Sequence, residues 1–310
     1  MNRRFIYGTA WKKDETASCV LKAIHSGFTA FDTACQPKHY REDLVGEAIR
    51  RAFADGTIKD RSQIWIQTKF TRPSAHDPEN CPYDLSAPIE EQVHKSIQMS
   101  LHNLRHSEEL DGTNDGSVYL DSLILHSPSP DLEDTLAAWR VMSSYVPHRI
   151  RALGVANLSC EHLMRLYEAV EVKPSFVQNR LHPETDWEIE QRRFCVDKGI
   201  LFQAHKVLKR KEFILDSELL REVASAVGVN RQVAMYLLVR GLGDYMTVVN
   251  GTKSEEHMKE DLEGIVKFNS WWADEGEKGK NQTNWTGYMA CFTEMIGQSS
   301  RNSGPAGSPA

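Results

Sequence analysis

The stretch "FTAFDTACQPKHYREDLVGEAIRRAF" (28–53) contains one complete unit of the fold. "FTAFD" (28–32) is short, aromatic and bounded by turn residues, which reads as a strand. "EDLVGEAIRRAF" (42–53) repeats apolar residues at helical spacing. Between them lies a loop that carries Tyr40, and the strand itself ends on Asp32. A carboxylate and a phenol do not stabilise a core, so their closeness raises the question of a shared proton-transfer site.

The unit recurs along the chain. Strands are predicted at "RFIYG" (4–8), "FTAFD" (28–32), "IWIQTK" (64–69), "LDSLILH" (120–126), "IRALGVAN" (150–157), "SFVQN" (175–179), "ILFQAH" (200–205) and "YMTVVNG" (245–251). Helical patterns fall at 15–27, 42–53, 88–104, 132–142, 160–170 and 187–198. Eight strands alternating with helical stretches predict a parallel sheet closed into a single-domain α/β, (β/α)8 TIM barrel. The rival, an open doubly wound sheet, usually shows a glycine-rich fingerprint after its first strand, and "GTAWKKDE" (8–15) is not one. The domain is expected to run over 1–293 with a C-terminal extension, and the Gly-, Ser- and Pro-rich 294–310 to be a disordered tail. The polar insertion 105–118 precedes a strand and belongs to the N-terminal face, whereas 71–87 follows a strand and overhangs the catalytic face. The extension 271–292 is expected beside the barrel mouth, with Trp271, Trp272 and Trp285 either lining a pocket or packing on outer helices.

Composition narrows the class. The 310 residues are 40% hydrophobic and 26% charged, as in a soluble globular protein. A net charge of −6 argues against a nucleic-acid partner, and no apolar run is long enough for a membrane span or signal peptide. Cys19, Cys35, Cys81, Cys160, Cys195 and Cys291 are scattered without a CxxC pair, so they read as reduced thiols of a cytoplasmic protein, with no metal site.

In a barrel, the C-terminal strand ends face the active site. That rule gathers Asp32 from strand 2, Lys69 from strand 3, His126 from strand 4 and Tyr40 from the loop after strand 2. Alone, such an Asp more often caps a helix and such a Lys more often reaches for water. Together they form a coherent set. Lys69 paired with Asp32 is expected to lower the Tyr40 pKa from about 10, readying the phenol as an acid or base. His126 would hydrogen-bond the same oxygen. No side chain supplies hydride, so a reduction here needs a nicotinamide cofactor.

"FDTACQPKHYREDLVGEAI" (31–49), "IQTKF" (66–70), "YLDSLILHSP" (119–128), "RIRALGVANLS" (149–159), "KPSFVQN" (173–179) and "TVVNGTKSEEHMKEDL" (247–262) resemble, in order and spacing, the motifs of the aldo-keto reductases, most closely in look the fungal members. The resemblance spans about 5–265. It implies a TIM barrel that uses NADPH, with NADH as the weaker possibility, to reduce an aldehyde or ketone, in steps that for fungal members often belong to natural-product pathways. It also implies that Asp32, Lys69 and His126 are catalytic, that Asn157 and Gln178 hold the nicotinamide carboxamide, and that Glu260 and Asp261 meet adenine.

The sequence also departs from the family pattern. Tyr40 follows Asp32 by eight residues where the family has five, and counting back from Val45-Gly46 the family's Tyr slot falls on His39. Tyr40 is the expected acid and His39 its competitor. His205 stands where an aromatic residue stacks on the nicotinamide, and Ala156 where a Ser precedes Asn157. Gly251 and His257 stand where the family offers a Lys and an Arg to the 2′-phosphate, leaving Thr252 and Lys253 to contribute, with "KVLKRK" (206–211) near the pyrophosphate. Two other readings remain open: a redox-inactive relative that performs a dehydration or ring closure, and a nucleotide-binding regulatory subunit. The partner is a small carbonyl compound, and oligomeric state is not legible.

Overall fold

The computed structural model describes residues 5–112 and 114–298. Eight parallel strands close into a barrel in chain order, with β1 (Phe5–Gly8) pairing both β2 (Ala30–Asp32) and β8 (Met246–Asn250). The others are β3 (Trp65–Phe70), β4 (Ser122–Leu125), β5 (Leu153–Ala156), β6 (Phe176–Arg180) and β7 (Leu201–His205). Several strands are shorter than the sequence pattern suggests. His126, Asn157 and Gly251 each lie one residue beyond a strand end, in the loops of the catalytic face.

The helices form the outer ring. α1 (Thr16–His25), α2 (Glu42–Ala54), α3 (Ile89–Asn103), α4 (Leu132–Ser144), α5 (Cys160–Ala169) and α6 (Ile189–Lys198) each follow a strand. α6 starts at Ile189 rather than 187 because Asp186, Trp187 and Glu188 all have left-handed backbones that no regular helix accepts. After β7 come the short α7 (Glu212–Leu215) and then α8 (Glu218–Val227) and α9 (Arg231–Gly241), none of which is among the helical patterns read from the sequence. Ser217 and Asn230 cap the last two through side-chain oxygens, and Gly228 takes the left-handed turn between them. The core lies between ring and barrel; Gly154 of β5 shows how close the packing is, since a Cβ there would come within 2.3 Å of Ile124.

α10 (Glu255–Ala273) and α11 (Lys278–Met295) settle the choice for the C-terminal extension. They pack on α8 and α9, and Trp285 is buried against Phe268, with ring centroids 4.6 Å apart. Of the two readings left open for these tryptophans, packing on the outer helices is the one found, where apolar area takes them up. Order continues past 293, the expected boundary, because Ile296 is buried and Gln298 accepts a hydrogen bond from Arg192 at 2.9 Å; 299–310 lie outside the described residues. Among the described residues no helix is long and apolar enough to cross a membrane.

Candidate active site

Alternation along the strands sends every second side chain into the barrel. Trp65 and Phe176 meet edge to face across the interior, 5.7 Å between centroids, and close its floor. Two residues further along their strands stand Gln67 and Gln178, joined by Gln203 of β7 and Asp32 of β2. Gln67 donates through Nε2 to Asp32 Oδ1 at 2.6 Å and to Gln203 Oε1 at 2.8 Å. Gln178 donates to the same two acceptors at 3.0 and 2.9 Å, and Gln203 Nε2 returns a bond to Gln67 Oε1 at 2.9 Å. Above this layer Lys69 donates to Asp32 Oδ2 at 2.6 Å and to the Thr33 carbonyl at 2.8 Å. Lys69 is only 1% exposed, so its charge is matched entirely by fixed groups.

Tyr40 hangs over this pair. Lys69 Nζ lies 5.1 Å from its ring centre, and the ring stands edge to face with His126, centroids 6.0 Å apart. Burial pushes the phenol above its ordinary range; the Lys69 ammonium pulls downward, by charge and hydrogen bonding, and does not prevail. The expected lowering of this pKa is thus corrected: desolvation outweighs one cation that Asp32 already neutralises. His126 Nδ1 and the Thr71 hydroxyl share a hydrogen bond of 2.7 Å. Burial, then Lys69, hold the His126 pKa well below the usual imidazole range, so the ring is neutral at physiological pH. His39, beside Tyr40, stacks instead on Trp11 at 3.9 Å, and Trp11, 61% exposed, donates its backbone N–H to the His39 carbonyl.

From this point a cavity of about 740 Å³ runs across the mouth. Asp32, Tyr40, His126, Asn157, Gln178 and His205 line one end; Gly251, Thr252, His257, Glu260 and Asp261 line the other. Asn157, with a left-handed backbone at φ 55, donates through Nδ2 to the His126 carbonyl at 2.9 Å. His205 is driven down to about 3, first by burial and then by Lys206, and presents an uncharged ring. At the far end Asn250 donates to Asp261 at 2.6 Å, and burial raises the Asp261 carboxyl to about 7. Glu260 accepts from Asn230 at 3.0 Å. Lys253 does not line the cavity: it is paired with Glu15 at 2.8 Å. In the basic run, Lys206 and Lys209 line the cavity while Lys211 folds under, donating to the Lys206 carbonyl at 2.9 Å.

A family model described as the aldo/keto reductase family matches residues 5–213. The chain belongs to the aldo/keto reductase family. It is 30% identical over 263 residues to an NADPH-dependent codeinone reductase of Papaver somniferum, covering 77% of this chain and 74% of the relative. It is 27% identical over 278 residues to a deoxymugineic acid synthase of Triticum aestivum, covering 81% and 78%. Among solved structures, an aldo/keto reductase from Brucella melitensis superposes with a TM-score of 0.65 at 24% identity, over 84% of this chain and 86% of that one. A Bombyx mori aldo-keto reductase in complex with NADP does so at 0.65 and 21%, over 86% and 88%. At such identities these structures speak for the fold.

In this aldo-keto reductase the geometry gathers every site residue expected from sequence around one mouth, except Lys253, which turns to Glu15. Sequence reasoning missed Gln67 and Gln203. The signal was present: each is a polar residue two positions before a mouth residue, Lys69 and His205, and so on the same inward face. Trp11, Asn230 and Tyr236, which also line the cavity, come from loops or helices with no such period, and Asn250 lines it from the last position of β8.

Proposed function

We propose that this aldo-keto reductase uses NADPH to reduce an aldehyde or ketone, with Tyr40 as the proton donor. The observation that supports this reading most is Tyr40 held between the Lys69–Asp32 pair and a neutral His126 at the inner end of a ligand-sized cavity. The cofactor, when bound, supplies the hydride that no side chain can. Its far end fits the residues present: Asn250 Oδ1 is buried without a hydrogen-bond partner, beside Glu260 and Asp261, a donor-seeking set suited to adenine's amino group. Gly251, Thr252, His257 and a Lys253 released from Glu15 would receive the 2′-phosphate, which makes the preference over NADH modest.

Tyr40 keeps its proton on Oη at physiological pH and gives it up only to a strong base such as a developing alkoxide. Lys69 stabilises the phenolate that remains, and Asp32 holds Lys69 in place. Thr71 as donor to Nδ1 would leave the His126 proton on Nε2, where it can meet the carbonyl oxygen. Asn157 and Gln178 would hold the carboxamide, and His205 would offer an uncharged face to the nicotinamide ring. His39, occupied with Trp11, is a wall of the pocket. A cytoplasmic setting and a step in natural-product biosynthesis belong to the same proposal; the unpaired cysteines and the relative named for codeinone support them.

The test is a titration of tryptophan fluorescence with NADPH and NADH, followed by NADPH consumption over a panel of aldehydes and ketones. Tighter binding of NADPH with carbonyl-dependent oxidation is expected. Nucleotide binding without turnover on any carbonyl, or turnover that needs no nucleotide, would overturn the reading.

A further inference from the structure

The amide layer beneath the site has a single permitted direction. A carboxylate only accepts hydrogen bonds. Asp32 Oδ1 therefore forces the nitrogen ends of Gln67 and Gln178 toward itself, as the 2.6 and 3.0 Å contacts show. Gln67 must then turn its oxygen to Gln203, whose nitrogen fills it at 2.9 Å. Gln203 in turn offers its oxygen to the nitrogens of Gln67 and Gln178 at 2.8 and 2.9 Å. Flipping any of the three would set oxygen against oxygen or nitrogen against nitrogen in a buried place, where unmet polar groups are costly. Both amide hydrogens of Gln178 are used below, so it presents only Oε1 to the cavity.

We infer that Gln67 and Gln203 are positioning residues: they lock Gln178 as a pure acceptor, so that a ligand's primary amide must bring its NH2, not its oxygen, to Gln178. This rests on the reductase reading, in which that amide is the nicotinamide carboxamide. Its orientation fixes which face of the ring meets the carbonyl, so two glutamines that touch neither substrate nor cofactor set the stereochemistry of hydride transfer.

The probes are NADPH and the reduced acetylpyridine analogue of NADPH, which keeps the oxygen and replaces the amino group by methyl. The wild type should bind NADPH about 10-fold more tightly than the analogue, the scale of one buried hydrogen bond. In Gln67→Met/Gln203→Met, which removes both partners for apolar chains of similar length, that ratio should fall to about 2 or less. With cofactor deuterated on one face of C4, the variant's alcohol should be a mixture of deuterated and undeuterated product, because hydride then also comes from the opposite face. A merely structural role would move the melting temperature and leave both readouts alone. If the double variant does not fold, Gln203→Met is read in its place. Equal binding of the two nucleotides by the wild type would overturn the inference, as would a folded variant that keeps the ratio and single-face transfer. A wild type that binds neither nucleotide would instead overturn the reductase reading itself.

Discussion

Lys69 with Asp32 at the mouth and Arg61 with Asp121 at the base are both ion pairs whose side chains are less than a tenth exposed. Their surroundings differ. Asp121 Oδ2 accepts from Arg61 at 2.8 Å and from the Ile66 backbone at 3.0 Å, and Arg61 donates to the carbonyls of Ile64 and Tyr119. Arg61 and Arg151 sandwich the Tyr119 ring at 4.2 and 3.8 Å. This pair ties the starts of β3 and β4 to fixed backbone. At the mouth, Asp32 is satisfied by side chains, and Lys69 borders a phenol that faces a cavity. At the base the remaining partners are backbone groups and a second arginine, Arg151, 3.6 Å from Asp121 Oδ1, an arrangement that suits stability; at the mouth one neighbour is a phenol open to ligand, which suits the proposed proton transfer.

The comparison breaks most visibly at Tyr40. Tyr40→Phe should lower kcat by roughly 10²–10⁴ while thermal unfolding moves little, and Lys69→Met should bring a similar loss. The pH profile of alcohol oxidation, which needs the phenolate, should shift further upward in Lys69→Met. If His39→Ala is inactive and Tyr40→Phe active, the acid is His39. At the base the pattern should invert. Asp121→Ala leaves Arg61 charged, buried and unpaired, and should cost about 3–5 kcal/mol in a denaturant melt with kcat per folded molecule unchanged.

A smaller effect separates a third carboxyl from both pairs. Among the described residues no cation pairs with Asp261; burial, with a smaller push from the Glu260 charge, raises it from 3.8 to about 7 against the hydrogen bond from Asn250, which lowers it. Between those values the unfolded chain releases a proton that the folded carboxyl retains, so folding loses ground as pH rises through that window. Asp261→Asn should therefore raise the melting temperature at about pH 8 and not at about pH 3, since the penalty it removes is absent below the unfolded pKa. A difference independent of pH would show the carboxyl to be stabilised in a way these contacts do not contain. The smallest effect is expected at the exposed Lys253–Glu15 pair, where solvent screens the attraction. Lys253→Ala should weaken NADPH about 3-fold and spare NADH, and Glu15→Gln should tighten NADPH by freeing the lysine. Equal weakening of both nucleotides would remove Lys253 from the phosphate site.

Much of this was legible in the chain. Short apolar runs rich in β-branched and aromatic residues, alternating with helical patterns, predict a closed barrel, and the barrel rule then carries Asp32, Lys69 and His126 to one mouth without any knowledge of side-chain contacts. Tyr40 and His39 are adjacent in a loop that has no period, so the sequence left both in play; the fold separates them by giving one Lys69 and His126 and the other Trp11. The sign of the Tyr40 shift was misread for a related reason: a charge partner can be inferred from spacing, but the desolvation that outweighs it depends on how completely the fold covers the ring.

The sequence by itself determined which residues point inward and at which end of the barrel they sit, because strand and helix periods are local properties of the backbone. Only the tertiary structure decided that Gln67, Gln178, Gln203 and Asp32, drawn from four different strands, become one directed network, and that the tryptophans of 271–285 leave the mouth for the outer helices. Those outcomes depend on distances between segments far apart in the chain, which the closing of the barrel sets and no local pattern encodes.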